Sequence, residues 1–356
     1  MSTGIPRHPD ELNADALTRL LAPHHPDAVV RTVTVHEIHE VTNTHVRVAV
    51  EYDRPVALPG SLFVKMVPRE PGRREQIART DMGRREVRFY EDLAPHLALR
   101  VPRVFGTAYD DTDGSFVIVM EDLADAGCTV SDGTVGVAPD AAAVALAELA
   151  DLHVRYEDPQ RRATEAPWVP SSVHGSPYGV NLLREALAGH RDRLTADFAA
   201  IAELYVDRCD DLQALWHAGR LSVIHGDPHI GNLFDDHGRT GFLDWGIINL
   251  GAPMRDVSYF MTMAMDPADR RAHERDLLAH YLDARAGYGG TPIALADAWT
   301  AHRLHAAYTV PACCQIVTFP DGISERRRVF STAFLARAEA AVADLDALGA
   351  LRAAGI

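Results

Sequence analysis

The segment that most constrains this chain is VIHGDPHIGNLF, Val223 to Phe234, followed at short range by TGFLDWG, Thr240 to Gly246. An apolar strand end (LSVI) runs into a polar loop holding His225, Asp227, His229 and Asn232, and a second short strand (GFL) ends on Asp244. Asp227, Asn232 and Asp244 therefore fall on two neighbouring strand–loop junctions. That set suits phosphoryl transfer. One carboxylate can take the proton of an attacking hydroxyl. An amide and a second carboxylate offer the hard oxygens that Mg²⁺ prefers. A second chemistry is open to the same residues: His225, Asp227, His229 and Asp244 could ligate Zn²⁺ as in a metal-dependent hydrolase. Pro228 interrupts the strand that would put 225, 227 and 229 on one face, and this alternative leaves Lys65 and Asn232 without a task.

Upstream, Val29 to Glu37 and His45 to Tyr52 alternate and are Val-rich, as half-buried strands are. Ser61 to Val67, Pro102 to Ala108 and Ser115 to Met120 read as further strands, Asp15 to Leu21 as a short helix and Arg74 to Leu93 as one long charged helix. Lys65 is a lone charge inside LFVKMV, costly there unless paired. Beyond Leu123 a Gly-, Asp- and Thr-rich connector leads to helices over Asp140–Tyr156, Gly179–Ala218, Arg255–Met265, Pro267–Ala286, Pro292–Val317 and Ser324–Leu348. One β-rich island, Leu221 to Asp244, interrupts them. The expected organisation is a small lobe over 1–123 and a larger helical lobe over 124–356, with a crevice between them where a ligand can sit.

The run at 223–246 resembles the catalytic loop of the aminoglycoside phosphotransferase and choline kinase-like family of small-molecule kinases, which carries HGDxHxxN followed by an Asp-initiated metal motif. The likeness extends over roughly Val29 to Asp256. It implies an α+β, two-lobed protein kinase-like fold: an N-lobe with an antiparallel sheet and one helix, and a mainly helical C-lobe with the catalytic loop and acceptor site. It implies ATP or GTP as donor, Mg²⁺, and a small-molecule hydroxyl as acceptor. By the same resemblance Asp227 is the base, Asn232 and Asp244 are metal ligands, and Lys65 pairs with Glu86 to hold phosphate oxygens. Glu86 rather than Glu91 is chosen because it precedes the aromatic pair Phe89-Tyr90. Phe116 to Leu123 resembles the hinge, where the backbone of Glu121 and Leu123 would meet the adenine edge. His225, His229 and Asp256 are expected to support the loop. The chain departs from the protein-kinase pattern in reading His-Gly-Asp and Asp-Trp-Gly, and in lacking G-x-G-x-x-G near EVTNTH, Glu40 to His45. Thr42, Asn43 and Thr44 are left as phosphate-covering groups or as an ordinary hairpin turn.

Other classes find less support. A net charge of −15 disfavours nucleic acid as a partner. No A-P-E ending follows Gly246, as a protein kinase would need, and no G-x-S-x-G supports a serine hydrolase. A catalytically inactive nucleotide-binding module predicts loss of the base, the strand lysine or a metal ligand, and all are present. The four cysteines form no CxxC pair. The first residues do not read as a signal peptide, and no run approaches the ~20 apolar residues of a membrane span, so the expected place is the cytoplasm, without a membrane partner. Oligomeric state is not fixed. Trp299, His302, His305 and Tyr308 partly share a helix face and could floor an acceptor pocket. Acids are few between Trp299 and Phe334 (Asp321 and Glu325), which favours a less cationic hydroxylated metabolite or natural product over a polycationic antibiotic.

Overall fold

The computed structural model describes residues 4–40, 42–171 and 176–356. Five strands, β1 (Val30–Glu40), β2 (Thr44–Tyr52), β3 (Ser61–Met66), β4 (Val104–Tyr109) and β5 (Phe116–Glu121), form an antiparallel sheet in the order β1-β2-β3-β5-β4. Its two faces explain the sequence pattern. Leu62, Val64 and Met66 of β3, with Val117 and Val119 of β5, pack on α1 (Ala14–Leu21) through Leu17, Leu20 and Leu21. Phe116, Ile118 and Met120 point the other way, into the main core. β5 is therefore apolar on both faces and reads as the continuous run FVIVM. Lys65 lies on this second face, opposite His45 of β2 and Ile118 of β5.

The expected long helix is broken into pieces. α2 (Pro71–Thr80) stops at Asp81, whose φ of +58° ends the helical run, and α3 (Met82–Arg88) starts anew before a π-turn over Phe89–Leu93. Gly83 lets α3 lie against the sheet, since a Cβ there would fall 2.3 Å from the Phe116 ring. The connector after β5 contains a two-residue strand, β6 (Thr129–Val130).

Helices dominate thereafter: α4 (Pro139–Arg155), α5 (Pro159–Glu165), α6 (Pro177–His190), α7 (Ala196–Asp207) and α8 (Cys209–Trp216). Gly179–Ala218 is thus three helices and a 3-10 turn, not one. β7 (Ser222–Ile224), β8 (Leu233–Asp236), β9 (Arg239–Phe242) and β10 (Asn249–Gly251) make up the β island, with β6 joining β8 and β10 joining β7. α9 (Pro253–Ala264), α10 (Pro267–Gly287), α11 (Leu295–Ala306), α12 (Thr309–Ala312), α13 (Glu325–Asp344) and α14 (Ala347–Ala353) complete the chain. The last long helical stretch ends at Asp344, and Asp346, at φ +45°, starts α14.

The main apolar cluster crosses from sheet to helices. It joins Phe116, Ile118 and Met120 to Leu146 and Leu149 of α4 and to Phe260 of α9. At its centre Trp245 is stacked on Phe89, ring centres 3.7 Å apart and planes 6° off parallel. Among the described residues no helix is long and apolar enough to cross a membrane.

Candidate active site

Lys65 is 5% exposed, so its charge needs partners. Its Nζ lies 2.9 and 2.6 Å from the two oxygens of Glu86 and 3.0 Å from Asp244 Oδ1. Glu86 comes from α3, set against the sheet by Gly83, and also accepts from the Trp245 backbone N–H. Burial pushes the Glu86 carboxyl up to about 7 against the pull of Lys65. Burial alone would lower the Lys65 ammonium, but the Asp244 and Glu86 carboxylates more than reverse this and raise it above its ordinary value. Asp244 sits at φ +59°, and Lys65 holds its carboxyl below the usual range despite burial.

The loop after β7 is built on Asp256, in the first turn of α9 and fully buried. Its carboxylate accepts from the His225 N–H at 2.6 Å and the Gly226 N–H at 2.9 Å, with His153 Nε2 at 3.4 Å. Gly226 is at φ +87°, where a Cβ would meet Asn249 and the Ile247 carbonyl. His225 uses both ring nitrogens. Nδ1 accepts from the Asp227 N–H at 3.2 Å, so Nε2 carries the proton and donates to the Leu243 carbonyl at 2.9 Å. Burial lowers its pKa below the ordinary histidine value. This one ring ties the loop of Asp227 to the strand end that precedes Asp244, and it lies over Trp245 at 4.3 Å.

Asp227 remains accessible, its side chain 31% exposed. Asn232 Nδ2 donates to its Oδ2 at 3.1 Å and to its backbone carbonyl at 3.0 Å. His229 Nδ1 accepts from the Gly231 N–H at 3.0 Å, which leaves the Nε2 proton facing Asp227 Oδ2 at 3.4 Å. Tyr259 of α9 adjoins the same carboxylate, and burial with that charge raises its phenol well above the ordinary value. With Nδ2 engaged, the acceptor end of the Asn232 amide is its Oδ1. That oxygen and the Asp244 carboxylate are hard donors suited to Mg²⁺. The zinc alternative fits poorly: both His225 nitrogens are engaged, and among the described residues no group of three or more His, Cys, Asp or Glu is placed to hold a metal.

Glu121 and Asp122, at the end of β5, are both paired. Glu121 pairs with Arg100 at 2.6 Å, and Asp122 is buried between Arg47 at 2.9 Å and Ser61 at 2.7 Å. The Glu121 N–H donates to the Arg103 carbonyl at 2.8 Å. Leu123 packs with Cys128 and Phe234. Thr42 and Asn43 form a tight β1–β2 turn, with Val41 outside the described residues; Thr44 donates to Glu40, and Asn43 Oδ1 is buried without a partner. Trp299 and His302 pack on each other, ring centres 5.6 Å apart, and Trp299 and Tyr308 border the same apolar cluster. His302 is fully buried against Ser258 and Glu274, Trp299 lies under Arg275, and only Tyr308 reaches towards the base, through Tyr259 at 5.7 Å. His305 is also buried. Sequence reading missed His153, Tyr259 and Arg255. Tyr259 could have been found, being one turn beyond Asp256 on α9. A cavity of about 530 Å³ opens beside α13, between Arg193, Phe319, Arg327 and Leu335, but no residue around Asp227 lines it.

The model of the phosphotransferase enzyme family matches residues 56–292. No curated protein matches the chain. Among solved structures, a candidate aminoglycoside phosphotransferase from Ralstonia eutropha is 15% identical with a TM-score of 0.54, covering 93% of this chain and 98% of its own. A GDP complex of an aminoglycoside 2'-phosphotransferase-IIIa variant is 16% identical with a TM-score of 0.51, covering 93% and 98%. A choline kinase from Streptococcus pneumoniae is 11% identical with a TM-score of 0.50, covering 92% and 98%. These likenesses show a shared two-lobed, protein kinase-like α+β fold.

Proposed function

Because this chain belongs to the phosphotransferase enzyme family, we propose that it is a small-molecule kinase, moving the terminal phosphoryl group of ATP or GTP onto an acceptor hydroxyl. The nucleotide lobe is residues 1–123, and residues 124–356 supply the catalytic loop and acceptor site. The observation that carries this reading is the Lys65 ammonium, fixed between Glu86 and Asp244, where the strand end before Asp244 is bonded to the loop that presents Asp227. An ammonium so placed holds phosphate oxygens by charge, and the glutamate fixes its direction.

Each residue then has a task. Asp227 Oδ2, aligned by Asn232 and His229, accepts the proton of the attacking hydroxyl. Asp256 and His225 hold the loop backbone so that this oxygen keeps its place. The Leu123 backbone N–H meets the nucleotide base at the hinge, and the Thr42–Asn43 turn covers the phosphates. Asn232 Oδ1 and the Asp244 carboxylate would hold Mg²⁺, which when bound neutralises phosphate charge. The test is ADP release with an acceptor panel. Asp227→Asn should lower kcat by about two or more powers of ten while nucleotide binding persists. Full turnover in Asp227→Asn would refute the assignment.

A further inference from the structure

The buried and half-buried arginines of the helical region are paired in a consistent way. Arg270 meets Glu274 and Asp344, Arg285 meets Glu157, and Arg337 meets Asp266. Half-buried Arg162 of α5 has no carboxylate partner among the described residues but donates to three backbone carbonyls, of Tyr156, Glu157 and Leu221. Arg255 has neither kind of partner set. It is half-buried in the first turn of α9, next to Asp256, yet among the described residues no carboxylate lies within ion-pair distance of it. Its guanidinium rests 4.2 Å from the centre of the Tyr308 ring and donates to the Tyr308 hydroxyl, while its Nε is buried without a partner. Beside it His305, 5% exposed, has its Nδ1 buried and unpartnered as well. Burial, then the Arg255 charge, holds both His305 and His217 below the ordinary histidine value, so neither neutralises it nor adds a second cation.

The position matters as much as the missing partner. Tyr308 packs edge-on against Tyr259 at 5.7 Å, and Tyr259 adjoins Asp227 and His229. The guanidinium is therefore two aromatic rings from the base. Its backbone is clamped through Asp256 to the same loop. The side chains in between are aromatic: Tyr259 and Tyr308, with Phe330 and Phe334 packed around His229. A ring face and one hydroxyl satisfy this cation less fully than a carboxylate would, and its remaining N–H donors can still take one. A planar guanidinium is matched best by a carboxylate, which it can grip through two parallel hydrogen bonds.

We propose that Arg255 anchors a carboxylate of the acceptor, so that the substrate is an anionic hydroxyl compound with an apolar or aromatic body. This rests on the kinase reading and deepens it by assigning the charge of the substrate. Three probes of one shape and different charge test it: 4-hydroxyphenylacetate, tyrosol and tyramine, titrated calorimetrically into the full chain. The anionic probe should bind at least about tenfold more tightly than the other two. Arg255→Gln should abolish that preference, and Arg255→Lys should restore part of it. Equal affinities, tightest binding of tyramine, no binding of any probe, or a preference that survives Arg255→Gln would overturn the proposal. If Arg255 only latches Tyr308, Arg255→Gln will lower Tm and weaken all three probes alike, which also overturns it. Nucleotide binding by the same samples is read separately. Its absence in the wild type would refute the kinase reading, whereas its presence with charge-blind probe binding would refute only the anchor.

Discussion

Replacing Asp256 should damage the catalytic loop through a definite route. Its buried carboxylate accepts two backbone N–H bonds, at 2.6 and 2.9 Å, and faces His153 at 3.4 Å. Those contacts hold its carboxyl below the usual range although burial pushes the other way. Asparagine keeps the shape but turns one oxygen into a donor. That amide must then face one of the two N–H groups, or His153, donor to donor. One buried donor left without an acceptor costs about 1–3 kcal/mol, and lost charge assistance adds roughly one more, giving about 2–4 kcal/mol for Asp256→Asn. Alanine strands both N–H groups, so about 2–6 kcal/mol is expected. Urea unfolding measures the loss, and hydrogen exchange at the His225 and Gly226 amides should quicken selectively. A loss below about 1 kcal/mol for the alanine variant, or unchanged exchange at both amides, would refute this role.

Two further outcomes follow from other buried groups. Lys65→Met leaves Glu86 buried without its cation and should cost about 3–5 kcal/mol; adding Glu86→Gln should recover much of that stability but not phosphotransfer, as unfolding and ADP release on the same samples will show. Stability should also fall with acid. His153, His225, His302 and His305 are fully or almost fully buried, and burial sets each below its ordinary 6.5. Below pH 6.5 the unfolded chain takes up protons that the folded chain refuses, so each such histidine withdraws stability as pH falls. The limit is about 1.4 kcal/mol per pH unit apiece. Glu86, raised to about 7, acts oppositely and offsets one of them. Tm should thus drop steeply between pH 6.5 and 5; a flat profile would contradict the neutral, buried state of these rings.

Much of the arrangement was legible because it rests on local signals. A lone lysine in an apolar strand, two strands ending on acids and a fixed Asp-to-Asn step are written in short windows of sequence. The strands of the sheet show in their alternation, and β5 in its unbroken apolar run, because burial on one or both faces dictates residue type. What was not legible depends on partners distant in the chain. Glu121 and Asp122 look like loop acids until Arg100 and Arg47 arrive from elsewhere in the fold. Spacing put Trp299, His302 and Tyr308 near one helix face, but spacing does not say what packs on that face; for His302 it is Ser258 of α9. The break at Asp81 requires a non-glycine residue at positive φ, for which the sequence carries no mark. β6 and β10 are too short to have a period. Arg255 was passed over because an arginine beside an aspartate at a helix start looks solvated, and only the fold shows which partner it lacks.

The central claim is that Lys65, Asn232 and Asp244 form a nucleotide and Mg²⁺ site beside the base Asp227. The most direct measurement is thermal shift with ATP and GTP, with and without Mg²⁺, on the wild type and on Asp244→Ala. The account predicts a nucleotide-dependent rise in Tm that needs Mg²⁺ in the wild type and is lost in Asp244→Ala. No rise with either nucleotide, or an undiminished Mg²⁺-dependent rise in the variant, would contradict it.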